Sequence, residues 1–218
     1  YVSNMGDQLV RLVLACAGVP IVGCGGAAPA PSGASNPVAA SAAASSVRSI
    51  DWMNREYTFG EAEAYRVVNG EFNYVIDENG DEHPATYQPP NPDSYVERGY
   101  FSVSAPEFAD LTGDGAEEAI LVMHSSTGGT GRFTGIEVFS SKAGTGVSIG
   151  GIPGGDRGDG GIAGVTVDGA TVVVERYLSL EGDGACCPSK LQRERWTWNG
   201  SSFVEDEKAR IVEDNPDV

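Results

Sequence analysis

The chain has 218 residues, 40% of them hydrophobic, which is enough for one self-sufficient domain with appended segments. Its 31 acidic residues outnumber its 14 lysines and arginines, and the formal net charge is −17 at pH 7. Such an excess of negative charge repels phosphate backbones, so we exclude nucleic acid as a partner.

The N-terminal segment has the order of a bacterial export signal. An apolar stretch from Leu12 to Val22 follows Arg11, and it is too short to span a bilayer. The tetrad Ile-Val-Gly-Cys that ends at Cys24 is similar to a lipobox, at which signal cleavage exposes a cysteine for acylation. We therefore predict a lipoprotein signal over residues 1–24 and lipidation at Cys24. An ordinary secretory signal cut near Ala28 is the alternative.

A flexible tether is predicted to follow the signal. Residues 25–49 are rich in Ala, Ser, Pro and Gly and contain no aromatic side chain, so burial cannot offset the entropy of ordering them. Acyl chains on Cys24 would anchor the chain to a membrane surface. Gly25 stands where, in Gram-negative lipoproteins, an aspartate favours retention in the inner membrane. We therefore expect a lipid-anchored protein of the cell envelope, at the outer membrane.

Turn signals separate short alternating runs between residues 50 and 204, and this pattern predicts a single β-rich domain. Hairpin turns are predicted at Asn69-Gly70, Asp168-Gly169 and Asn199-Gly200. If each dipeptide turns the chain tightly, the facing pairs include Val67 with Phe72, Val165 with Val172, and Trp196 with Phe203. The predicted fold is mainly β, an antiparallel sheet or sandwich built from hairpins with few short helices.

The stretch DLTGDGAEEAI, residues 110–120, spaces its oxygen donors as a calcium loop does. Alternate positions from the first to the ninth hold Asp110, Thr112, Asp114, the carbonyl of Ala116, and Glu118. Thr112 replaces the usual Asp or Asn, and Leu121 stands where an EF-hand has its bidentate glutamate. The loop instead resembles the shorter calcium loop of FG-GAP (integrin-type) repeats, which implies a Ca²⁺ ligand set. A simple Asp/Gly turn that leads into a strand is the alternative.

Glycine dominates the segment from residue 144 to residue 164, where ten of 21 positions are glycine. This density disfavours both helix and strand, so we predict a long shaped loop. The loop either carries a binding function or serves plain tight turning. Within it, Asp156 and Asp159 are candidates to complete a metal shell with the loop at 110–118.

Two adjacent cysteines, Cys186 and Cys187, form the motif ACCPS. They are the only thiols expected in the mature chain, because Cys16 leaves with the signal and Cys24 is acylated. Adjacent Cα atoms lie about 3.8 Å apart, below the usual disulfide range of about 4.4 to 6.8 Å. In an oxidising envelope we nevertheless predict a disulfide between them. Two buried thiols and pairing between molecules are the alternatives.

The predicted organisation ends with an acidic tail. Residues 205–218 contain few apolar side chains and are predicted to be disordered, with a short helix over residues 205–212 as the alternative. The chain therefore divides into a signal (1–24), a tether (25–49), one β-rich domain (50–204) and the tail.

Several stretches together resemble a bacterial surface lipoprotein family of the LppP/LprE type. They are the lipobox, the tether, DLTGDGAEEAI, GRFTGIEVF, GGIPGGDRGDGGI, VERY, and ACCPS followed by RWTWNGSSF. The resemblance extends over roughly residues 95–204 beyond the signal and tether. No activity is established for that family, so the resemblance implies an envelope location and brings no catalytic residues.

We expect a binding or envelope-maintenance module rather than an enzyme, with Ca²⁺ as a candidate cofactor and an envelope protein or glycan as ligand. The chain has no HExxH or GK[ST] motif. One alternative is a hydrolase that acts on envelope glycan through a carboxylate pair, and another is a structural surface protein without ligand. Two close carboxylates in a concave pocket would favour the hydrolase, whereas exposed aromatic side chains would favour binding.

Overall fold

A computed structural model describes residues 46–60, 64–156, 158, 160–184 and 186–217. Strand makes up 52% and helix 4%, and the sheets are antiparallel, which confirms the prediction of a mainly β fold built from hairpins. The predicted signal, with Cys24, lies outside the described residues. None of the helices in the described part of the chain has the length and apolarity that a membrane span requires.

The described chain begins with a short 3₁₀ helix, Val47–Ser49, followed by a small antiparallel pair, β1 (Glu56–Tyr57) and β2 (Tyr65–Arg66). Trp52 anchors this N-terminal segment, because its indole N–H donates to the carbonyl of Val47 at 3.0 Å. Both side chains are buried. The folded body therefore begins before residue 50, and the prediction that the tether extends to residue 49 is wrong at that end.

The larger sheet has seven strands and forms the middle of the domain. Its strands are β3 (Glu71–Ile76), β4 (Glu82–Pro84), β5 (Glu97–Val103), β6 (Glu107–Ala109), β7 (Glu118–Ser126), β8 (Phe133–Lys142) and β9 (Thr145–Ile152). Their order across the sheet is β4-β3-β5-β7-β8-β9, and β6 pairs separately with β7. Among the described strands, β9 pairs with β8 alone and is thus an edge strand.

The smaller sheet has five strands and uses β12 as its centre. Its strands are β10 (Ile162–Asp168), β11 (Thr171–Leu178), β12 (Lys190–Trp198), β13 (Phe203–Glu205) and β14 (Ile211–Asp214). The first three form a meander, and β13 and β14 pair with opposite ends of β12.

Hydrophobic cores cover both faces of the larger sheet. On β7, Leu121 and Met123 pack with the N-terminal segment, whereas Ile120 packs with the smaller sheet. Successive side chains of a strand point to opposite faces, so an uninterrupted apolar run such as AILVM requires cover on both sides. The domain therefore has three layers: the N-terminal segment, the larger sheet and the smaller sheet.

Hairpins occur at all three predicted positions, but the second turns at Gly169-Ala170 rather than Asp168-Gly169, and the predicted strand pairings are wrong. Asn69 and Gly70 have φ values of 54° and 82°, as a type I′ turn requires. Val68 and Glu71, on either side of this turn, form a single β-bridge. The strands then separate, because β2 pairs with β1 and β3 pairs with β5. In the other two hairpins the facing pairs are Val165 with Val174 and Trp198 with Phe203. A turn dipeptide marks the hairpin but does not determine how many residues the loop contains.

The prediction of a long loop over residues 144–164 is wrong for its first half, which forms β9. A Cβ atom at Gly146 would lie 2.3 Å from both Trp52 and Arg55, so glycine allows the N-terminal segment to lie directly on this strand. Gly150, with φ 150°, lies where the register between β8 and β9 shifts. The last residues of the predicted loop begin β10, and the described residues 153–156, 158, 160 and 161 lie between the two strands.

The prediction of a disordered tail is also wrong, because residues 207–215 are ordered against β12. A 3₁₀ helix, Glu207–Ala209, leads into β14, and Asn215 is buried. The Asn215 side chain donates to the carbonyl of Pro188 at 2.8 Å, and its backbone N–H donates to the carbonyl of Ser189 at 2.9 Å. All four side chains of β14 are exposed, so backbone pairing, rather than an apolar pattern, holds this strand.

Candidate functional site

A cavity of about 480 Å³ lies between the N-terminal segment and strands β8 and β9. Its lining is mostly apolar side chains and glycine backbone: Thr58, Phe59, Gly60, Met123, Phe133, Thr134, Gly135, Ile136, Glu137, Gly151, Ile152, Pro153, Gly154 and Gly155. The glycine-rich segment that attracted attention in the sequence thus supplies one wall. Phe133, at 48% exposure, presents an aromatic ring to solvent beside it.

Glycines allow the segments that line this cavity to approach one another closely. A Cβ atom at Gly135 would lie 3.1 Å from the ring of Phe59, and one at Gly151 would lie 2.7 Å from Oε2 of Glu137. A Cβ atom at Gly154 would lie only 1.8 Å from the carbonyl oxygen of Thr134, so the wall can approach β8 only through glycine. The backbone is consequently uncovered beside the cavity.

A second, more polar cavity of about 500 Å³ adjoins the first, because Thr58, Gly60 and Glu137 line both. The other lining residues are Arg55, Glu56, Tyr57, Phe139, Gly146 and Ser148. We refer to the two cavities together as the Glu137 cleft, with an apolar half and a polar half.

Arg55 is held on an aromatic surface in the polar half. Its guanidinium carbon lies 4.8 Å from the ring centroid of Trp52 and 5.3 Å from those of Tyr57 and Phe139. Nη2 donates to the carbonyl of Gly146 at 3.0 Å. Burial raises the pKa of Tyr57, against the opposing charge of Arg55, so this phenol stays neutral at physiological pH. The guanidinium is therefore fixed by stacking rather than by a carboxylate.

The predicted calcium loop closes on itself through backbone hydrogen bonds. Asp110 accepts from the N–H groups of Gly113 at 2.7 Å and Gly115 at 3.0 Å, and Asp114 accepts from Ala116 at 2.8 Å. Within the described ranges, no three His, Cys, Asp or Glu side chains are grouped so that they could hold a metal ion. The loop geometry is thus that of a hydrogen-bonded turn.

Two buried polar groups beside this turn nevertheless lack full hydrogen-bond or charge partners among the described residues. Glu118 is 1% exposed, and it accepts from the backbone N–H groups of Leu111 at 2.9 Å and Thr112 at 3.2 Å. Burial raises its pKa, the two hydrogen bonds oppose this rise, and the charges of Asp114 and Asp110 add to it. The hydroxyl of Thr112 is buried and finds no hydrogen-bond partner in the described part of the chain. A cavity of about 570 Å³ borders the loop from Asp114 to Glu118.

Asp156 fixes the loop that follows β9. Its carboxylate accepts from the backbone N–H of Arg132 at 2.9 Å and from that of Gly158 at 3.0 Å. These contacts tie the loop to the hairpin between β7 and β8. Asp159 lies outside the described residues, so a metal shell that combines both aspartates with the Asp110 loop stays a prediction.

The structure joins Cys186 and Cys187 in a disulfide, and both residues are exposed. Asp183 organises their loop by accepting from the backbone N–H groups of Leu180 at 2.8 Å and Ser189 at 2.9 Å. These hydrogen bonds hold the pKa of Asp183 below its usual range. Neither cysteine lines the Glu137 cleft.

The sequence analysis did not predict Arg55 and Glu137 as site residues. Glu137 lies between Ile136 and Val138 on β8, and its side chain points to the face covered by the N-terminal segment. A charge at an inward position of a strand is the signal that could have identified it. Arg55 carries no such signal, because it meets β9 only through a contact 91 residues away in sequence.

Comparison with known proteins identifies no relative: no family model, curated protein or solved structure matches the chain. The resemblances to the LppP/LprE type and to FG-GAP calcium loops stay predictions.

Proposed function

We propose that this protein is a binding module of the cell envelope and that the Glu137 cleft is its ligand site. The observation that supports this proposal is the cleft itself, which combines aromatic walls, uncovered glycine backbone and a few charged groups. Binding sites for small molecules are typically concave, largely apolar and about 300 to 1,000 Å³ in volume, with a few polar groups that orient the ligand.

The alternative of a glycan hydrolase finds less support in this cleft. Glycoside hydrolysis requires two carboxylates on opposite sides of the scissile bond. Two carboxylates, those of Glu56 and Glu137, line the polar half. Glu56 is 61% exposed and lies 3.6 Å from Arg66, with which it forms an ion pair. Only Glu137 remains without a cationic partner among the described residues, which favours binding.

The proposed location follows from the sequence. Lipidation at Cys24 and the tether after it would hold the domain near the outer membrane surface. An envelope protein or an envelope glycan could present the group that enters the cleft. The net charge of −17 argues against nucleic acid as the ligand.

The proposal can be tested with the unacylated full chain and anilinonaphthalene sulfonate, a fluorescent probe of apolar clefts. Thr58 is exposed and lines both halves, so Thr58→Trp should obstruct the cleft. Thr145→Trp is the matched control, because Thr145 is exposed and lines neither half. We expect saturable binding to the wild type and the control, and binding weakened about tenfold or more by Thr58→Trp. Equal binding to all three chains, or none to the wild type, would refute the proposal and favour a structural protein without ligand.

We further propose that Ca²⁺ binds the Asp110 loop and stabilises the domain. The supporting observations are the buried carboxylate of Glu118, which forms no ion pair with any described residue, and the unpartnered hydroxyl of Thr112. Calcium takes six to eight oxygen ligands. Those offered here are carboxylates of Asp110, Asp114 and Glu118, the hydroxyl of Thr112 and the carbonyl of Ala116.

Thermal unfolding in chelator and in millimolar calcium, with magnesium as a control ion, tests this second proposal. Calcium at 100 times its dissociation constant should add about 2.7 kcal/mol to the free energy of unfolding. Asp114→Ala should abolish the shift. Glu117→Gln should retain it, because Glu117 pairs with Arg48 at 2.6 Å and is not in the ligand set. A shift that survives Asp114→Ala, or no shift in the wild type, would leave the loop a simple turn.

A further inference from the structure

Of the three charged side chains that line the polar half of the Glu137 cleft, Arg55 and Glu137 form no ion pair within the described ranges. Arg55 donates only through Nη2, so its Nε and Nη1 groups have no acceptor among the described residues. Among the described residues, Glu137 accepts a hydrogen bond from the hydroxyl of Ser148, through Oε1. A cavity that holds one uncompensated cation and one uncompensated anion is complementary to a zwitterion.

The contact partners of these two charges lie two residues apart on strand β9. Arg55 contacts Gly146, Glu137 contacts Ser148, and both positions lie on the face of β9 that meets the N-terminal segment. Two residues of a strand span about 6.7 Å. In an α-amino acid, two bonds of about 1.5 Å join the ammonium nitrogen to the carboxylate carbon. With a hydrogen bond of about 2.9 Å at each end, such a molecule spans a gap of the same order as that Cα separation.

The cation of this pair is pre-organised. Stacking on three aromatic rings and the hydrogen bond to the carbonyl of Gly146 hold the guanidinium in place before any ligand arrives. A fixed, planar guanidinium suits a carboxylate, which it can bind through two parallel hydrogen bonds. The acidic side chains that line the polar half are Glu137 and the ion-paired Glu56, and both favour the ammonium end of a ligand.

The apolar half adjoins this charged pair through Glu137. Its lining includes Phe59, Met123 and Phe133, and its volume of about 480 Å³ is sufficient for an aromatic or branched side chain. We infer that the Glu137 cleft binds a small zwitterion with an apolar side chain, an α-amino acid or a molecule with the same paired charges. The carboxylate binds Arg55, the ammonium group binds Glu137, and the side chain enters the apolar half. This inference rests on the proposed function, because it requires the cleft to be a ligand site.

Three ligands separate the two charges experimentally: phenylalanine, phenylalaninamide, which lacks the carboxylate, and N-acetylphenylalanine, which lacks the ammonium group. Binding to the unacylated chain can be measured by calorimetry and by the fluorescence of Trp52, which lies under Arg55. We expect phenylalanine to bind about tenfold or more tighter than either analogue, the factor expected for loss of a hydrogen bond to a charged group.

Variants assign each charge to its residue. Arg55→Gln should abolish the preference over the amide and keep the preference over the N-acetyl compound, whereas Glu137→Gln should do the reverse. Arg98→Gln and Glu97→Gln, which change the same charges outside the cleft, should leave both preferences intact. If Arg55→Gln fails to fold, as judged by circular dichroism, Arg55→Lys and the isosteric Glu137→Gln still test the assignment.

The outcomes separate this inference from the proposed function. If the fluorescent probe binds and Thr58→Trp blocks it, but the three ligands bind within about threefold of one another, the cleft is a binding site without zwitterion selectivity and the inference is wrong. If neither the probe nor phenylalanine binds, both proposals are wrong. A phenylalanine preference that persists unchanged in both variants would also overturn the assignment.

Discussion

Breaking the buried ion pair between Arg176 and Glu194 should destabilise the domain strongly. The two side chains are 10% and 5% exposed, and Nε of Arg176 donates to Oε2 of Glu194 at 2.7 Å. Glu194 also accepts from Trp196 at 2.9 Å and from Gln192 at 2.6 Å. Arg176 donates in addition to the carbonyl of Gly160 at 3.1 Å. The pair therefore connects the smaller sheet to the loop that follows β9.

The size of the effect follows from burial of the charges. Glu194→Gln leaves Arg176 buried without an anion, which costs about 3 to 5 kcal/mol. The free energy of unfolding of a typical domain is only about 5 to 15 kcal/mol. Replacing both residues, by Arg176→Met and Glu194→Leu, leaves no unpaired buried charge. We expect that double substitution to cost less than Glu194→Gln alone.

Urea unfolding of the wild type, Glu194→Gln, the double variant and a control variant measures these differences in the free energy of unfolding. Asp168→Asn is the control, because it breaks the exposed pair between Asp168 and Arg195, whose side chains are 69% and 39% exposed. That change should cost less than about 1 kcal/mol. The reasoning is refuted if Glu194→Gln also costs less than about 1 kcal/mol, or if the double substitution is the more damaging change.

Three further predictions concern the pH response, the tail and the packing of the cleft. Because its pKa is raised, Glu118 binds a proton more readily in the folded than in the unfolded state. The protonated side chain therefore stabilises the fold fully below the ordinary pKa of about 4.5. That stabilisation is lost as the pH rises through the pKa of the folded state. Urea unfolding in chelator, from below pH 4.5 upward, should show this loss of stability in the wild type and not in Glu118→Gln. Identical dependence of stability on pH in the two proteins would contradict this. Asn215→Ala leaves the carbonyl of Pro188 without its donor and should cost about 1 to 3 kcal/mol, with faster proteolysis near Cys186; unchanged stability would mean that the tail does not hold that loop. Gly154→Ala should cost about 1 to 3 kcal/mol by overpacking against Thr134, whereas Gly129→Ala, with no heavy atom within 4 Å, should be nearly neutral in the same assay; equal effects would contradict the close packing.

The sequence predicted the fold class because turn residues act locally. Asn69 and Gly70 adopt the left-handed backbone of a hairpin turn, and the apolar run of β7 occupies the buried middle of the larger sheet. Register and partner choice depend on non-local contacts, so β2 leaves its predicted partner for β1. Strand β14 escaped prediction because all of its side chains are exposed, so no alternation of buried and exposed residues marks it.

The candidate site was only half predictable. The glycine-rich segment lines the cleft, but glycine content gave no hint that residues 145–152 form a strand. The reason is tertiary, because Gly146 is glycine to make room for Trp52, which lies 94 positions earlier in the chain. Arg55 and Glu137 reach one cavity through the same packing. Sequence periodicity and motif spacing cannot predict that Arg55 and Glu137 share a cavity, because only the packing of the N-terminal segment on β8 and β9 brings them together.

An amide chemical-shift map of the ¹⁵N-labelled unacylated chain, with saturating phenylalanine, tests the central claim most directly. If the Glu137 cleft is the ligand site, the shifts should concentrate at cleft amides such as Gly135, Glu137 and Gly151, and Thr58→Trp should remove them. Shifts that concentrate at the Asp110 loop or around Cys186, or a spectrum that does not change, would contradict the account.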